Sequence, residues 1–347
     1  MNPLTGFLPL LLLSSCTVGP NYTAPDAPGQ ARFRSKAAGA VSAPASEGEL
    51  ASWWRRLGDA RLNGLVEQAI AGNRDIKSAI ASIKSVRALR NAARFDSAPI
   101  VTAGTSYSNA RSPRTGTLPG APRDSESYDI GFDATWELDL FGRVRRNVEA
   151  ASADLAAAEA VRDDLLVSVT AETARAYMEL CGLHYQLRVA KENAANQRSS
   201  LDITTRLLEG GRGTGLDVSR AQAQYSTTLA TIPQIEAAAD RACHRLAVLT
   251  GQTPDTLRDR LKPATLPARF PSIHLGDPAS LLRRRPDIRA AERQLAAATA
   301  RIGVAMADLF PRITFNGSVG STAGSLRRDR HQQIIPHRLR GGEVGGG

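Results

Sequence analysis

Tyr128-Asp129-Ile130-Gly131-Phe132-Asp133-Ala134-Thr135-Trp136-Glu137 is the stretch on which the fold turns. Its even positions carry Tyr, Ile, Phe, Ala and Trp; its odd positions carry Asp, Gly, Asp, Thr and Glu. Successive side chains of a strand point to opposite faces, so this alternation makes one apolar face and one polar face. A soluble strand covered on one side would alternate in the same way. A strand of a transmembrane barrel, with lipid outside and a polar lumen inside, would do so over about ten residues. What surrounds the stretch therefore matters.

Immediately downstream, Leu138-Asp139-Leu140-Phe141-Gly142-Arg143 reads as a junction. Asp139 is placed to cap a following helix, and Gly142 permits a tight turn out of the strand. From Gly142 to about Glu209 there is no proline and one further glycine, Gly182. Alanine is plentiful, and Leu155, Leu165, Val169, Ala176, Leu180, Leu183 and Leu187 recur on helical steps of three and four. At ~1.5 Å per residue such a helix is about 100 Å long, far beyond a globular one. Gly210-Gly211-Arg212-Gly213-Thr214-Gly215 breaks it, and Asp217 begins a return helix to about Leu249 with a kink expected at Pro233. The glycines fit neither G-x-G-x-x-G nor a P-loop, because no strand precedes them and no Lys-Ser/Thr follows. They are the tip of a long antiparallel hairpin: Gly210, Gly211, Gly213, Gly215 and Asp217.

The chain also begins to repeat. Asp75-Ile76-Lys77 returns as Asp287-Ile288-Arg289, and Pro99-Ile100 as Pro311-Arg312, both offset by 212 residues (287 − 75 and 311 − 99). Each copy has an Ala-rich run between these anchors and an alternating run after the proline, as expected of a duplicated supersecondary unit. Asn73 starts the first helix as its cap, and Pro286 suits the first position of the second. In the alternating runs Val101, Ala103, Thr105 and Tyr107 align with Ile313, Phe315, Gly317 and Val319. With Tyr128, Ile130, Phe132 and Trp136 they make three strands with a lipid-facing side. Trp136 would lie at the membrane interface, where an amphipathic ring is stable.

At the N-terminus, Phe7-Leu8-Pro9-Leu10-Leu11-Leu12-Leu13 is too short to span a bilayer, and Ser14-Ser15-Cys16 follows. That is the layout of a lipoprotein signal, with residues 1–15 removed and Cys16 lipidated. Residues 16–52, rich in Pro, Gly, Ala and Ser, read as an extended leader without its own core. The net charge of +10 is scattered along helix faces rather than gathered with aromatics, which speaks against nucleic acid as a partner. Among the five histidines, no nucleophile–base or metal-ligand spacing emerges, so neither catalysis nor a bound cofactor is expected beyond the lipid on Cys16. With the hairpin turning at Arg212-Gly213, Cys181 and Cys243 fall at nearly the same height on neighbouring helices. Proximity is expected without a disulfide, since a bond needs Cα atoms within ~7 Å and packed helix axes lie ~8–10 Å apart.

Several motifs carry a resemblance: Leu13-Ser14-Ser15-Cys16-Thr17-Val18-Gly19-Pro20, Trp53-Trp54 with Leu57-Gly58-Asp59, Trp136 to Arg143, Leu282-Arg283-Arg284-Arg285-Pro286-Asp287-Ile288, and Ala307-Asp308-Leu309-Phe310-Pro311. Together they resemble the NodT-like, TolC-related family of outer-membrane efflux lipoproteins. The resemblance implies a mainly α fold with a small membrane β part. It implies a homotrimer in which each protomer gives four strands to one barrel and long helices to a periplasmic tunnel. The implied partners are a periplasmic adaptor and an inner-membrane pump of the resistance-nodulation-division (RND) type. The implied localisation is the outer membrane, with export of drugs or other small solutes. Thr17 after the cysteine, rather than an aspartate, fits transfer to the outer membrane.

On this basis the expected organisation is a first repeat over 53–272, a partial second repeat over 273–324, and a tail over 325–347 that resembles no part of the family and reads as out of frame. The second repeat would then lack its second strand and its hairpin, and such a chain is expected not to make a working channel by itself. A structural or adaptor-like periplasmic lipoprotein with a helical hairpin is the alternative.

Overall fold

The computed structural model describes residues 17–26, 40–41, 51–113, 115, 120, 123–261, 273–274 and 278–324. Cys16, the signal over 1–15 and the tail over 325–347 lie outside them. The elements are α1 (Ala60–Gly72), α2 (Arg74–Phe95), β1 (Ile100–Arg111), β2 (Asp124–Leu138), α3 (Arg143–Glu209), α4 (Gly215–Thr250), α5 (Pro254–Leu261), α6 (Pro278–Arg284), α7 (Pro286–Ala307) and β3 (Ile313–Ala323). A short 3-10 turn spans Trp53–Leu57, and a two-residue parallel bridge joins Ala40–Val41 to Ile273–His274. The chain forms two compact units: Met1–Pro25 with Ile83–Ala158 and Ala290–Gly347, and Asp26–Ser82 with Glu159–Arg289.

The second of these units holds an apolar core. Leu62, Leu65, Val66 and Ala69 line one face of α1 at helical spacing and are buried. Opposite them lie Tyr177, Leu180 and Cys181 of α3, Ala242, Cys243, Leu246 and Ala247 of α4, and Leu257 and Leu261 of α5. Burying each leucine here contributes about 1.5–3 kcal/mol. Trp54 joins the same cluster. Gly58 follows with φ 67°, a conformation open to glycine, and hands the chain to Asp59. One oxygen of Asp59 accepts from the backbone N–H of Arg61 and of Leu62 (2.8 and 3.1 Å), and the other accepts from the Tyr177 hydroxyl (2.7 Å). The Trp-Trp…Leu-Gly-Asp motif is thus a helix start that is also tied to the hairpin.

Between α1 and α2 sits Asn73. Its Oδ1 accepts from Asp75 and Ile76 N–H, and its Nδ2 donates to the Leu249 carbonyl at the end of α4. α3 runs 67 residues unbroken, as its composition predicts. α4 passes through Pro233 without interruption. It begins at Gly215 rather than at Asp217, because Thr214 and Asp217 form a reciprocal capping box around the first turn. Of the tip glycines only Gly211 has positive φ (72°). The hairpin is clipped by ion pairs between Glu172 and Arg245 and between Lys191 and Glu236, each 2.9 Å. Cys181 and Cys243 lie between these two clips along the hairpin, both buried in the same cluster, and no disulfide joins them.

In the other unit, small residues let the helices approach. The buried positions of α7 are Ala290, Ala296, Ala297, Ala300, Gly303 and Ala307. Arg301 of α7 pairs with Asp154 of α3. The three strands form one antiparallel sheet in the order β1-β2-β3.

Candidate functional site

The register of the sheet gathers the large apolar side chains on one face, Ile100 apart, and the charged ones of its middle on the other. Val101 faces Ala134, Ala103 faces Phe132, Thr105 faces Ile130 and Tyr107 faces Tyr128 across β1 and β2. Phe132 faces Val319, Trp136 faces Phe315 and Leu138 faces Ile313 across β2 and β3. All of these project on one side, because partners in register share a face. Each sequence-predicted strand residue therefore falls on a single apolar surface. That surface is exposed: Ile130 is 62% accessible, Phe132 54% and Val319 66%. A half-buried soluble strand would have this side covered. An apolar sheet face of this size left open marks contact with a membrane or a partner.

The apolar band has defined ends. At one end the rings of Tyr107 and Tyr128 lie 4.8 Å apart. Beyond them the same face turns polar with Asn109, Arg111, Asp124 and Glu126, and Arg111 pairs with Asp124 at 3.4 Å. At the other end Trp136 donates its indole N–H to the Ser97 carbonyl (3.1 Å). Tyr128 to Trp136 is about 26 Å of strand, or about 20 Å of membrane depth at a ~40° tilt. Aromatic residues flanking an apolar band are the pattern of an outer-membrane barrel wall.

The opposite face is hydrophilic. Asp129 accepts from Ser106 of β1 (3.2 Å), Ser127 of its own strand (3.1 Å) and Thr322 of β3 (2.6 Å), so one carboxylate ties all three strands. Asp133, Thr135 and Glu137 continue down the strand, with Ser318, Asn316 and Thr314 opposite. At the strand-to-helix junction the two Glu137 carboxylate oxygens accept from Nε and Nη2 along one edge of the Arg143 guanidinium. One row has no side chains: Gly104 faces Gly131, and Gly131 faces Gly320.

Below the sheet the junction is built as the sequence implied. Asp139 accepts from Val144 and Arg145 N–H (3.1 and 2.9 Å), capping α3, and Gly142 has φ 83°. Phe141 stacks on Phe310 at 4.6 Å, joining the two repeats where each meets its strand. At the tip, Gly210, Gly211 and Gly213 form the turn, and Gly215 and Asp217 open α4. Hydrogen bonds from the Thr214 hydroxyl and backbone hold the Asp217 carboxyl below the usual aspartate range. Two clusters were not legible in the sequence. One is the Asp59–Tyr177 bond; the other is a set of contacts made by Arg146 with Val18, Gly19 and Asn21.

Among the described residues no helix is long and apolar enough to cross a membrane, and no group of three or more His, Cys, Asp or Glu is placed to hold a metal.

The family described as Outer membrane efflux protein matches residues 65–252 and 278–335. The second match continues to residue 335, past the 324 boundary expected from the sequence. Nodulation protein T of Rhizobium leguminosarum bv. trifolii is 34% identical over 329 residues, covering 94% of this chain and 68% of that protein. The solved outer-membrane channel OprN is 44% identical with a TM-score of 0.80, covering 90% of this chain and 69% of that one. The Campylobacter jejuni CmeC outer membrane channel, 19% identical, shares the fold with a TM-score of 0.78, covering 90% of this chain and 66% of that one. The chain thus spans about two thirds of the length of these proteins. It belongs to the outer membrane efflux protein family, with the two-faced sheet as its outer-membrane part and the long helices as its periplasmic part.

Proposed function

We propose that this chain is the outer-membrane channel component of a tripartite efflux system, giving small solutes a passive route from the periplasm to the exterior. The observation that carries this reading is the sheet register, which keeps Val101, Ile130, Phe132, Phe315 and Val319 on an uncovered face and Asp129, Asp133 and Glu137 on the other. Lipid would meet the first face and water the second. No bound group is needed, because a conduit lowers no chemical barrier. Three strands cannot enclose a lumen alone, and unpaired edges in lipid cost several kcal/mol per group, so closure requires strands from other copies. A homotrimer in which each copy gives four strands, as the family resemblance implies, would meet that need. The hairpin tip, Gly210 to Asp217, is the surface offered to a periplasmic adaptor, and an inner-membrane RND pump would supply the driving force.

Cys16 would carry the lipid; mass spectrometry of the mature protein should find an acylated N-terminal cysteine and no residues 1–15. For the channel itself, two forms are expressed in a strain deleted for its own outer-membrane component. One is the 347-residue chain; the other is extended with a fourth strand and second hairpin of family type. Restored drug resistance and single-channel conductance with the extended form are expected. Correct insertion of that form with neither activity would overturn the channel reading.

A further inference from the structure

Arg146 lies in the first turn of α3 with its side chain only 4% exposed, and its guanidinium makes four hydrogen bonds. Nε donates to the Val18 carbonyl (3.2 Å), Nη2 to the Gly19 carbonyl (3.2 Å) and Asn21 Oδ1 (2.7 Å), and Nη1 to Glu149 (2.8 Å). A buried guanidinium is costly unless its donors are met, and here three of the four acceptors belong to the leader. The leader reciprocates, since Val18 N–H donates to the Phe141 carbonyl (3.1 Å).

The fit is also steric. A Cβ on Gly142 would come within 2.6 Å of the Thr17 side chain. One on Gly19, which has φ 92°, would come within 2.5 Å of Gly303 Cα. One on Gly303 would press on Arg146 at 2.9 Å. Three glycines from three distant segments thus form one slot. Further along, the Tyr22 hydroxyl donates to Glu292 of α7 (3.0 Å), and the Arg293 guanidinium lies 5.8 Å from its ring centre.

We propose that Thr17–Tyr22 is a strap that fastens the start of α3, from the first repeat, to α7, from the second, with Arg146 as its positioning residue. The strap fixes Thr17 against Gly142, next to the Phe141–Phe310 stack at the foot of the sheet. For the lipid this rests on the lipoprotein reading above: an acyl group on Cys16 would enter the bilayer at the sheet's periplasmic rim rather than on a free tether. The strap itself is made by protein contacts alone and should form without the lipid.

Hydrogen exchange of the full chain in detergent tests this, read on peptides covering 17–22 and 286–307. In the parent chain the Val18 amide should be protected. Arg146→Ala should accelerate its exchange at least about tenfold, and Arg146→Lys should give an intermediate value, since the three N–H of one ammonium nitrogen cannot span the acceptors that the guanidinium fork reaches. Should Arg146→Ala fail to fold, replacing residues 17–22 by Gly-Ser of equal length leaves Arg146 in place, and α7 should then lose protection. A Cys16→Ser chain with a secretory signal should keep the strap protected. Unchanged exchange in Arg146→Ala would overturn the clamp. Loss of protection in Cys16→Ser would show that the lipid, and not the slot, holds the leader. Acylation is read separately by mass, so failure of the lipoprotein reading is distinguishable from failure of the strap.

Discussion

Asn73 holds three backbone groups with one amide, and little of its side chain reaches solvent. Asn73→Ala removes the cap of α2 and leaves the Leu249 carbonyl without its donor. A loss of about 1–3 kcal/mol is expected, visible as a lower melting temperature by circular dichroism. Asn73→Asp keeps the cap and should recover part of it. Tyr177 gives a pH signature. Burial first, and then its bond to the Asp59 carboxylate, push its phenol upward from the ordinary value. A raised acid favours the neutral fold, so its contribution is complete below about pH 10 and drains as pH rises beyond it. The melting temperature of the parent chain should fall more steeply between pH 9 and 11 than that of Tyr177→Phe. Equal slopes would show that the phenol does not titrate against folding. The cap at Asn73 was visible in Gly72-Asn73-Arg74-Asp75. The Asp59–Tyr177 bond was not, because 118 residues separate the two and neither carries a periodic signal.

Among the elements, α3 and the strands were legible for a simple physical reason. Their periods, 3.6 and 2, are written by every residue, so long runs average out local exceptions. The leader carried no such period. Residues 17–22 pack against α3 and α7, and Ala40–Val41 bridges to Ile273–His274, partners that the composition of the leader did not show. Its contacts around Val18 and Gly19 are made by backbone groups, which leave no mark in sequence. The hairpin register can be tested directly. Lys191 and Glu236 face each other at 2.9 Å and are both exposed. Lys191→Cys with Glu236→Cys should therefore be joined by a short bifunctional thiol reagent. Cys181 and Cys243, buried, should stay unreactive until the chain unfolds. Labelling of the native parent chain at either position would place the helices in a different register.

For the whole molecule, the two faces of the sheet predict opposite tolerances. Phe132→Arg puts a charge into the lipid-facing band, at a cost of about 2–4 kcal/mol near the midplane. It should deplete the protein from the outer-membrane fraction. Asp133→Asn, one residue away on the polar face, should leave insertion unchanged. Similar loss in both would mean that the faces are not solvated differently. The family-level architecture was legible because Trp136 to Arg143 and Arg285-Pro286-Asp287 mark the same strand-to-helix and helix-start geometry that the structure then shows. How the repeats are fastened was not, because that depends on glycines whose only message is an absence of bulk.

The row Gly104, Gly131 and Gly320 has a hydraulic meaning. At that height the water-facing wall is bare main chain, so the bore there is the widest the strands allow and the local friction on a passing solute is least. Gly320 is committed to its neighbour, since a Cβ would come within 2.9 Å of the Ile130 carbonyl, whereas a Cβ on Gly104 would meet no neighbouring heavy atom within 4 Å. Gly104 can therefore be loaded without disturbing the sheet. A series Ala, Val, Leu at Gly104 should act as a graded throttle on the closed channel, lowering conductance stepwise while melting temperature holds. Bulky cargo should feel it before small ions do.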